Sequence, residues 1–316
     1  MTWVTVIIVN YKAADLILRN LPNVTAEKQG VERLDVIIVD NASPDDSLDV
    51  LKARIAGLDH VELIASPVNG GFAAGNNVGF RAIYARDEQP DAVLLLNPDT
   101  EFFPGSLHEL LSAAEAFPKG GCFGGKAFTE EMEPRGCCYR YPRLLREASA
   151  IPGLYHVMPE RIRSVEMLMD AEGPAPCDWV SGACFLLTRK ALQDVPFFDE
   201  GYFLYFEETD YCRELNRHGW QVIHVPSAKF VHVGGQSTGI NESRTKKNGL
   251  PSYWYDSWRR YHVKTHGRFH TLMTGATKLL ASLLKSLRSP GGAQGGFSRA
   301  DFIRLVMVPT WKGVPL

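Results

Sequence analysis

No stretch of the chain is apolar for long enough to span a bilayer. No basic region precedes the short apolar run Val4 to Val9, which Asn10 ends, so a secretory leader is not expected. The net charge of −2 gives no global pull toward nucleic acid. The six cysteines, Cys122, Cys137, Cys138, Cys177, Cys184 and Cys212, form neither a CxxC pair nor a zinc-type spacing. They read as small core residues in a reduced, intracellular setting. There is no internal repeat and no Gly-Lys-Ser/Thr phosphate loop, and the first apolar run ends on Asn10-Tyr11 without the glycines of a dinucleotide fingerprint. What remains is ordinary globular composition over 316 residues, enough for one large domain or one domain with an appendage.

The apolar runs Val4 to Val9, Asp35 to Val39, Val61 to Ala65 and Ala92 to Leu96 read as buried strands. Ala14 to Asn20 read as a helix, and Ser43-Pro44-Asp45-Asp46-Ser47 as a helix start with a cap and early carboxylates. The glycine-rich stretch Asn69 to Gly79 reads as a loop, followed by a helix to about Ala85. Strands alternating with helices predict a parallel sheet with right-handed crossovers. Further on, Leu107 to Phe117 read as a helix, Gly120 to Phe128 as a strand and Asp178 to Leu187 as a strand. Arg189 to Gln193 read as a short helix, and Glu207 to His218 as a helix stopped by Gly219. Gln221 to Val225 and Lys229 to Val233 read as two strands split by Pro226, and Thr129 to Pro176 as a long functional loop.

Three strands end on polar clusters, Asn10-Tyr11, Asp40-Asn41 and Asn97-Pro98-Asp99, which a parallel sheet gathers along one edge. Asp99, where Pro98 forces the chain out of the sheet, can hold a divalent cation that in turn holds a diphosphate; a turn-forming aspartate is the plainer alternative. Asp40-Asn41 can face a nucleobase or ribose, or simply build an Asx turn. Glu207, Glu208 and Asp210 in a first helical turn either offset the helix dipole or include a general base. Tyr202 to Phe206 would wall the site with aromatic rings. His232 is a buried strand histidine or a further metal ligand.

As an ordered set these residues resemble glycosyltransferase family 2, in the branch with bacterial rhamnosyltransferases. The matching segments are Val6 to Tyr11, Val39 to Ser43, Asn69 to Asn77, Leu96 to Asp99, Trp179 to Ala183, Phe198 to Glu200, Tyr205 to Asp210 and Val231-His232. The resemblance implies a GT-A fold: α/β, a Rossmann-like, mostly parallel central sheet flanked by helices, with a helical C-terminal extension. It implies a catalytic domain over 1–236, with a nucleotide-sugar half about 1–100 and an acceptor half about 101–236. It implies inverting transfer from a nucleoside-diphosphate sugar with Mg²⁺ or Mn²⁺. Asp99 and His232 would be the metal ligands, with Asn97 standing where a DXD motif has its first Asp. Glu208 would be the base, in the place of the usual Asp, with Asp210 and Glu207 as rivals. Donor contacts would come from Asn10, Tyr11, Asp40, Asn41, Asn69, Gly71, Phe72, Gly75, Asn76, Asn97 and Trp179. The implied donor is a dTDP- or UDP-sugar, with rhamnose or another deoxyhexose transferred. The implied acceptor is a saccharide or a lipid-linked hydroxyl in cell-surface polysaccharide synthesis.

The remaining segment, 237–316, is basic and mainly helical in pattern, with apolar spacing over Thr271 to Leu287 and a stop at Ser289-Pro290-Gly291-Gly292. Two readings stay open for it: contact with an anionic membrane, or packing on protein. The expected location is the cytoplasm or its membrane face, and a homo-oligomer is left open. A catalytically inactive sugar-binding or scaffolding relative, and a nucleotidyltransferase-like enzyme, are the competing functions.

Overall fold

The computed structural model describes residues 2–27, 29–163, 171–233 and 250–288. It divides into two compact units. One comprises residues 2–139, 171–200 and 208–233; the other comprises 140–163, 201–207 and 250–288.

The first unit is built on β1 (Trp3–Asn10), α1 (Ala14–Thr25), β2 (Arg33–Asp40), α2 (Ser47–Arg54), β3 (Val61–Ala65), α3 (Gly71–Tyr84) and β4 (Ala92–Leu96). Then come β5 (Thr100–Phe102), α4 (Ser106–Ala116), β6 (Gly120–Phe128), β7 (Pro134–Arg135) and β8 (Cys138–Tyr139). In the second unit, the stretch expected to be one long loop carries α5 (Leu144–Ala148), α6 (Leu154–Val157) and α7 (Glu160–Arg163). The chain returns to the first unit in β9 (Ala175–Cys177), β10 (Trp179–Val180), β11 (Cys184–Thr188) and α8 (Arg189–Asp194), then, from Glu208 on, in α9 (Glu207–Arg217) and in β12 (Gln221–His232). The last element, α10 (Ser252–Arg288), belongs to the second unit and is broken at Gly267, where φ is 83 and ψ 168.

Strand side chains alternate between two apolar layers, as period-2 geometry requires. Val6, Ile8, Ile38 and Leu94 pack with α1, α2 and α4. Ile7, Ile37, Val39 and Leu95 pack with α3, α8 and α9. A sheet buried on both faces needs the near-continuous apolar runs that mark β1, β2 and β4. The strand order is β3-β2-β1-β4-β11-β6-β12-β5. β1 to β4 are mutually parallel where they pair, and β11 enters antiparallel beside β4. The chain therefore winds one way through β2 and β3, then reverses to β4 on the other side of β1. That reversal is a topological switch point, where open α/β sheets place ligands.

Several expected elements differ. The glycine-rich stretch is helical from Gly71, because Gly75 and Gly79 let α3 lie against β1: a Cβ at Gly75 would sit 2.6 Å from Val9 Cγ1, and one at Gly79 2.8 Å from Ile7 Cδ1. The helix expected near Ser43 begins at Ser47, since the Ser43 hydroxyl serves Asn10 at the end of β1 and its N–H serves Asp40 at the end of β2. The strand expected over Asp178 to Leu187 is two, β10 and β11, parted by a turn at residues 181–183. The two strands around Pro226 are one, because a register shift between Val225 and Lys229 absorbs the proline. The helix expected from Thr271 begins just after the break at Gly267, and a further helical segment precedes it from Ser252. The expected helix stop at Ser289 to Gly292 and the tail to Leu316 lie outside the described residues, as does Thr238 to Gly249.

Candidate active site

Asn10, wholly buried at the end of β1, ties two strands together. Its Nδ2 donates to Asp40 Oδ1 at 2.7 Å and to Ser43 Oγ at 3.2 Å, and its Oδ1 accepts the Ala13 N–H at 3.0 Å. Asp40 Oδ2 accepts the Ser43 N–H at 3.1 Å. The flanking turns hold Lys12 at φ 59 and Ala42 at φ 53, left-handed conformations that residues with a Cβ rarely adopt and that cluster at functional sites. Next along the edge, Asn41 Nδ2 donates to Asn69 Oδ1 at 2.9 Å and to the Gly71 carbonyl at 3.0 Å. Asn69 Oδ1 also accepts the Gly71 N–H at 3.0 Å, where α3 begins with φ 82. Five of the expected donor contacts thus form one hydrogen-bonded edge, with Tyr11 half-buried beside them. Gly75 instead faces Val9, and Asn76 donates to the Phe72 carbonyl within α3 at 2.9 Å. Trp179 stacks on Tyr139, ring centroids 4.4 Å apart, where β10 pairs with β8.

A second cluster forms at the exit of β4. β5 pairs antiparallel with the end of β12, Thr100 opposite His232, which brings Asp99 beside the histidine. Asp99 Oδ1 lies 3.4 Å from His232 Nε2, and the Asn97 amide 3.5 Å from the same nitrogen. Asp99 is 5 % exposed. Sequence reasoning missed two residues that set this geometry. Asn20 of α1 donates to the carbonyls of Pro98 (3.3 Å) and Thr100 (3.2 Å), bracketing the Asp99 turn. Arg135 Nη1 donates to the carbonyls of His232 (2.7 Å) and Val233 (3.2 Å). The 181–183 turn also sets it; sequence reasoning matched this segment but gave it no role. A signal for Asn20 was present: it is a polar residue three positions after Ile17 on the buried stripe of α1.

That turn joins the second cluster to the expected base. The Ala183 carbonyl accepts the Asn97 N–H and the Thr100 hydroxyl, both at 3.2 Å. The Gly182 N–H donates to the Glu208 carboxylate. A Cβ at Gly182 would stand 3.1 Å from the Phe72 ring and 4.0 Å from Glu208 Cβ, so glycine is what lets these three groups meet. Glu208 as a whole is half-buried, but its Oε2 is shut from solvent and has no hydrogen-bond partner. Desolvation raises its pKa to about 7, against the opposing pull of its own and the Gly182 N–H. Asp210, two residues on, is 5 % exposed, and Glu207 is 3 % exposed. In the second unit, the segment leading into Glu207 holds Tyr205 at φ 70 and Phe206 at φ 69, two strained residues in succession.

Residues 5–151 match the family model described as Glycosyl transferase family 2, and residues 159–311 match Glycosyl transferase family group 2. The chain is 30% identical over 222 residues to N-acetylglucosaminyl-diphospho-decaprenol L-rhamnosyltransferase of Mycobacterium tuberculosis, covering 65% of this chain and 68% of the relative. The chain belongs to glycosyl transferase family 2. This glycosyltransferase shares its fold with two solved GT-A enzymes. One is the mannosyltransferase of Pyrobaculum calidifontis in complex with GDP-Man and Mn²⁺ (TM-score 0.54, 15% identity, 96% of this chain and 84% of that one). The other is GalNAc-T7 with UDP, GalNAc and Mn²⁺ (TM-score 0.60, 12% identity, 96% and 56%). Among the described residues no helix is long and apolar enough to cross a membrane.

The second cluster fits a divalent cation. A buried carboxylate oxygen, an imidazole nitrogen and a side-chain amide converge there, a donor set suited to a hard or borderline ion that also takes phosphate oxygens.

Proposed function

We propose that this transferase moves rhamnose, or another deoxyhexose, with inversion from a dTDP- or UDP-sugar to a hydroxyl of a saccharide or lipid-linked acceptor in cell-surface polysaccharide synthesis. The observation that carries the mechanism is the 181–183 turn. It fastens a metal-type cluster on one side (Asn97, Asp99, His232) and a proton-accepting carboxylate on the other (Glu208). The rhamnosyl donor rests on the relative's name and the nucleoside-diphosphate form on the solved enzymes' ligands.

Glu208 takes the proton of the acceptor hydroxyl; its Oε2, unpartnered and enclosed, is the free lone pair for it. The acceptor oxygen bonds to the anomeric carbon as the bond from that carbon to the diphosphate oxygen breaks, and the nucleoside diphosphate leaves with the electron pair. Asp99 and His232, with Asn97 alongside, would hold Mg²⁺ or Mn²⁺, which would supply charge to offset that growing on the diphosphate. The Asp40–Asn41–Asn69 edge receives the nucleoside. In this reading residues 1–100 form the donor half and 101–236 the acceptor half, with 237–316 as an extension at the cytoplasmic membrane face.

A panel of nucleotide-sugars with Mn²⁺ or Mg²⁺, scored by thermal shift and donor hydrolysis, tests the reading. dTDP-rhamnose is expected to stabilise and turn over, and Asp99→Ala to lose both responses. Equal response to every UDP-sugar overturns the deoxyhexose assignment, and binding without turnover overturns the enzymatic role of Glu208.

A further inference from the structure

The break in α10 gathers three histidines that the transfer chemistry does not use. His262, His266 and His270 are spaced by four residues. In an unbroken helix the first and third would stand about 12 Å apart along the axis. Here Gly267, with φ 83 and ψ 168, turns the chain between the second and third, and the rings of His262 and His270 lie 6.0 Å apart at an interplanar angle of 19°. His266 and His270 are 4.3 Å apart. One ring nitrogen from each of the three falls within 4.8 Å of the others.

The surroundings suit a ligand set. His262 is wholly buried under Trp258, ring centroids 4.2 Å apart, and neither of its ring nitrogens has a hydrogen-bond partner. Leaving an imidazole dry and unpaired is unfavourable unless something binds it. Burial holds it neutral, its pKa pushed down to about 2, so a lone pair is available. The Thr274 hydroxyl donates to the His270 carbonyl at 2.8 Å and so accepts from His270 Nδ1–H at 3.4 Å, which leaves His270 Nε2 as the bare nitrogen. His266 and His270 are half-buried, so solvent reaches the cluster from one side. The nearby cation, Lys278, is paired with Glu147 of α5 at 2.6 Å.

We propose that His262, His266 and His270 bind one Zn²⁺-class ion, which clasps the two halves of α10 across Gly267. Three imidazoles with a side open to water match a borderline ion that takes nitrogen ligands and keeps a fourth position for solvent. Bonds of about 2.0–2.1 Å place tetrahedral ligands about 3.4 Å apart, so ligand atoms that lie within 4.8 Å need close by at most about 1.4 Å.

The test uses the full chain, stripped of metal by a chelator and titrated with Co²⁺. One equivalent is expected to give the visible absorption of a nitrogen-ligated, near-tetrahedral site, which Zn²⁺ displaces. Asp99→Ala is expected to keep the signal, separating it from the donor-site metal. His270→Ala is expected to weaken Co²⁺ binding by more than about 100-fold, since loss of a ligand exceeds loss of a supporting hydrogen bond, while its metal-free melting temperature stays at the wild-type metal-free value. If His270→Ala does not fold, His266→Gln carries the same expectation. No visible band in wild type, a band that survives His270→Ala, or a sulfur-to-cobalt charge-transfer band from the buried Cys137, Cys138 and His224 group would each overturn the proposal.

Discussion

Burial of Glu208 sets the pH at which the proposed transfer runs. Its carboxyl titrates near 7 rather than at the usual 4.5, and only the ionised form can take a proton from the acceptor. Transfer measured at saturating donor is expected to rise through about pH 7 and then level off. Glu208→Gln keeps the shape and removes the base; kcat is expected to fall by about 10²–10⁴ with donor affinity retained. A profile flat from pH 5 to 9 would overturn Glu208 as the base. The same burial affects stability. The folded protein binds more protons than the unfolded chain between pH 4.5 and about 7, so the contribution of this group is fully present below 4.5 and is lost as pH rises through 7. Glu208→Gln is therefore expected to melt higher than wild type at pH 8 and to lose that advantage at pH 4, as scanning calorimetry at the two pH values would show.

Asn20 provides a different residue-scale check. It touches none of the proposed reacting atoms but brackets the Asp99 turn through two buried carbonyls. Asn20→Ala leaves those acceptors unpaired, at about 1–3 kcal/mol. Its kinetic signature should be a raised KM for the donor at fixed metal, partly rescued by excess Mn²⁺. A loss of stability with unchanged donor KM would reduce Asn20 to a core residue.

Elements show what periodicity can and cannot carry. β1, β2 and β4 were legible because strands buried on both faces are written as apolar runs. Their polar ends, Asn10, Asp40 and Asn97, were legible as one edge because parallel register aligns them. Asn69 to Gly79 misled because glycine is a poor helix former in isolation. Tertiary packing overrides that preference, since only glycine lets α3 approach Val9 and Ile7. Gly75→Ala should therefore destabilise by about 1–3 kcal/mol through overpacking, although alanine favours helices; urea titration would read it, and a neutral or stabilising result would show that α3 can back away from β1. The link between Gly182 and Glu208 was not legible: it joins residues 26 positions apart through a turn with no periodic signature.

At the scale of the whole molecule, the proposed lipid-linked acceptor would require the transferase to reach a bilayer surface. Over residues 252–288 the sequence holds seven Lys and Arg against the single Asp256. Phe269 is 78% exposed, and Leu272, Met273 and Leu280 are exposed at 42%, 41% and 48%. Apolar side chains that protrude near the exposed Lys264 and Arg268 have the composition of an interfacial helix, which lies on a bilayer without crossing it. Each cation near an anionic surface adds about 1 kcal/mol, and salt screens that term within about 10 Å at 0.1 M. The full chain is thus expected to float with vesicles containing anionic lipid at low salt, to detach as salt rises, and to ignore neutral vesicles. Leu272→Ser with Leu280→Ser should abolish flotation while leaving donor hydrolysis unchanged, because neither residue belongs to the proposed donor site. Activity on a lipid-linked acceptor in vesicles should fall with flotation, whereas activity on a water-soluble acceptor should not. Flotation that survives the double substitution would assign this apolar face to protein packing instead.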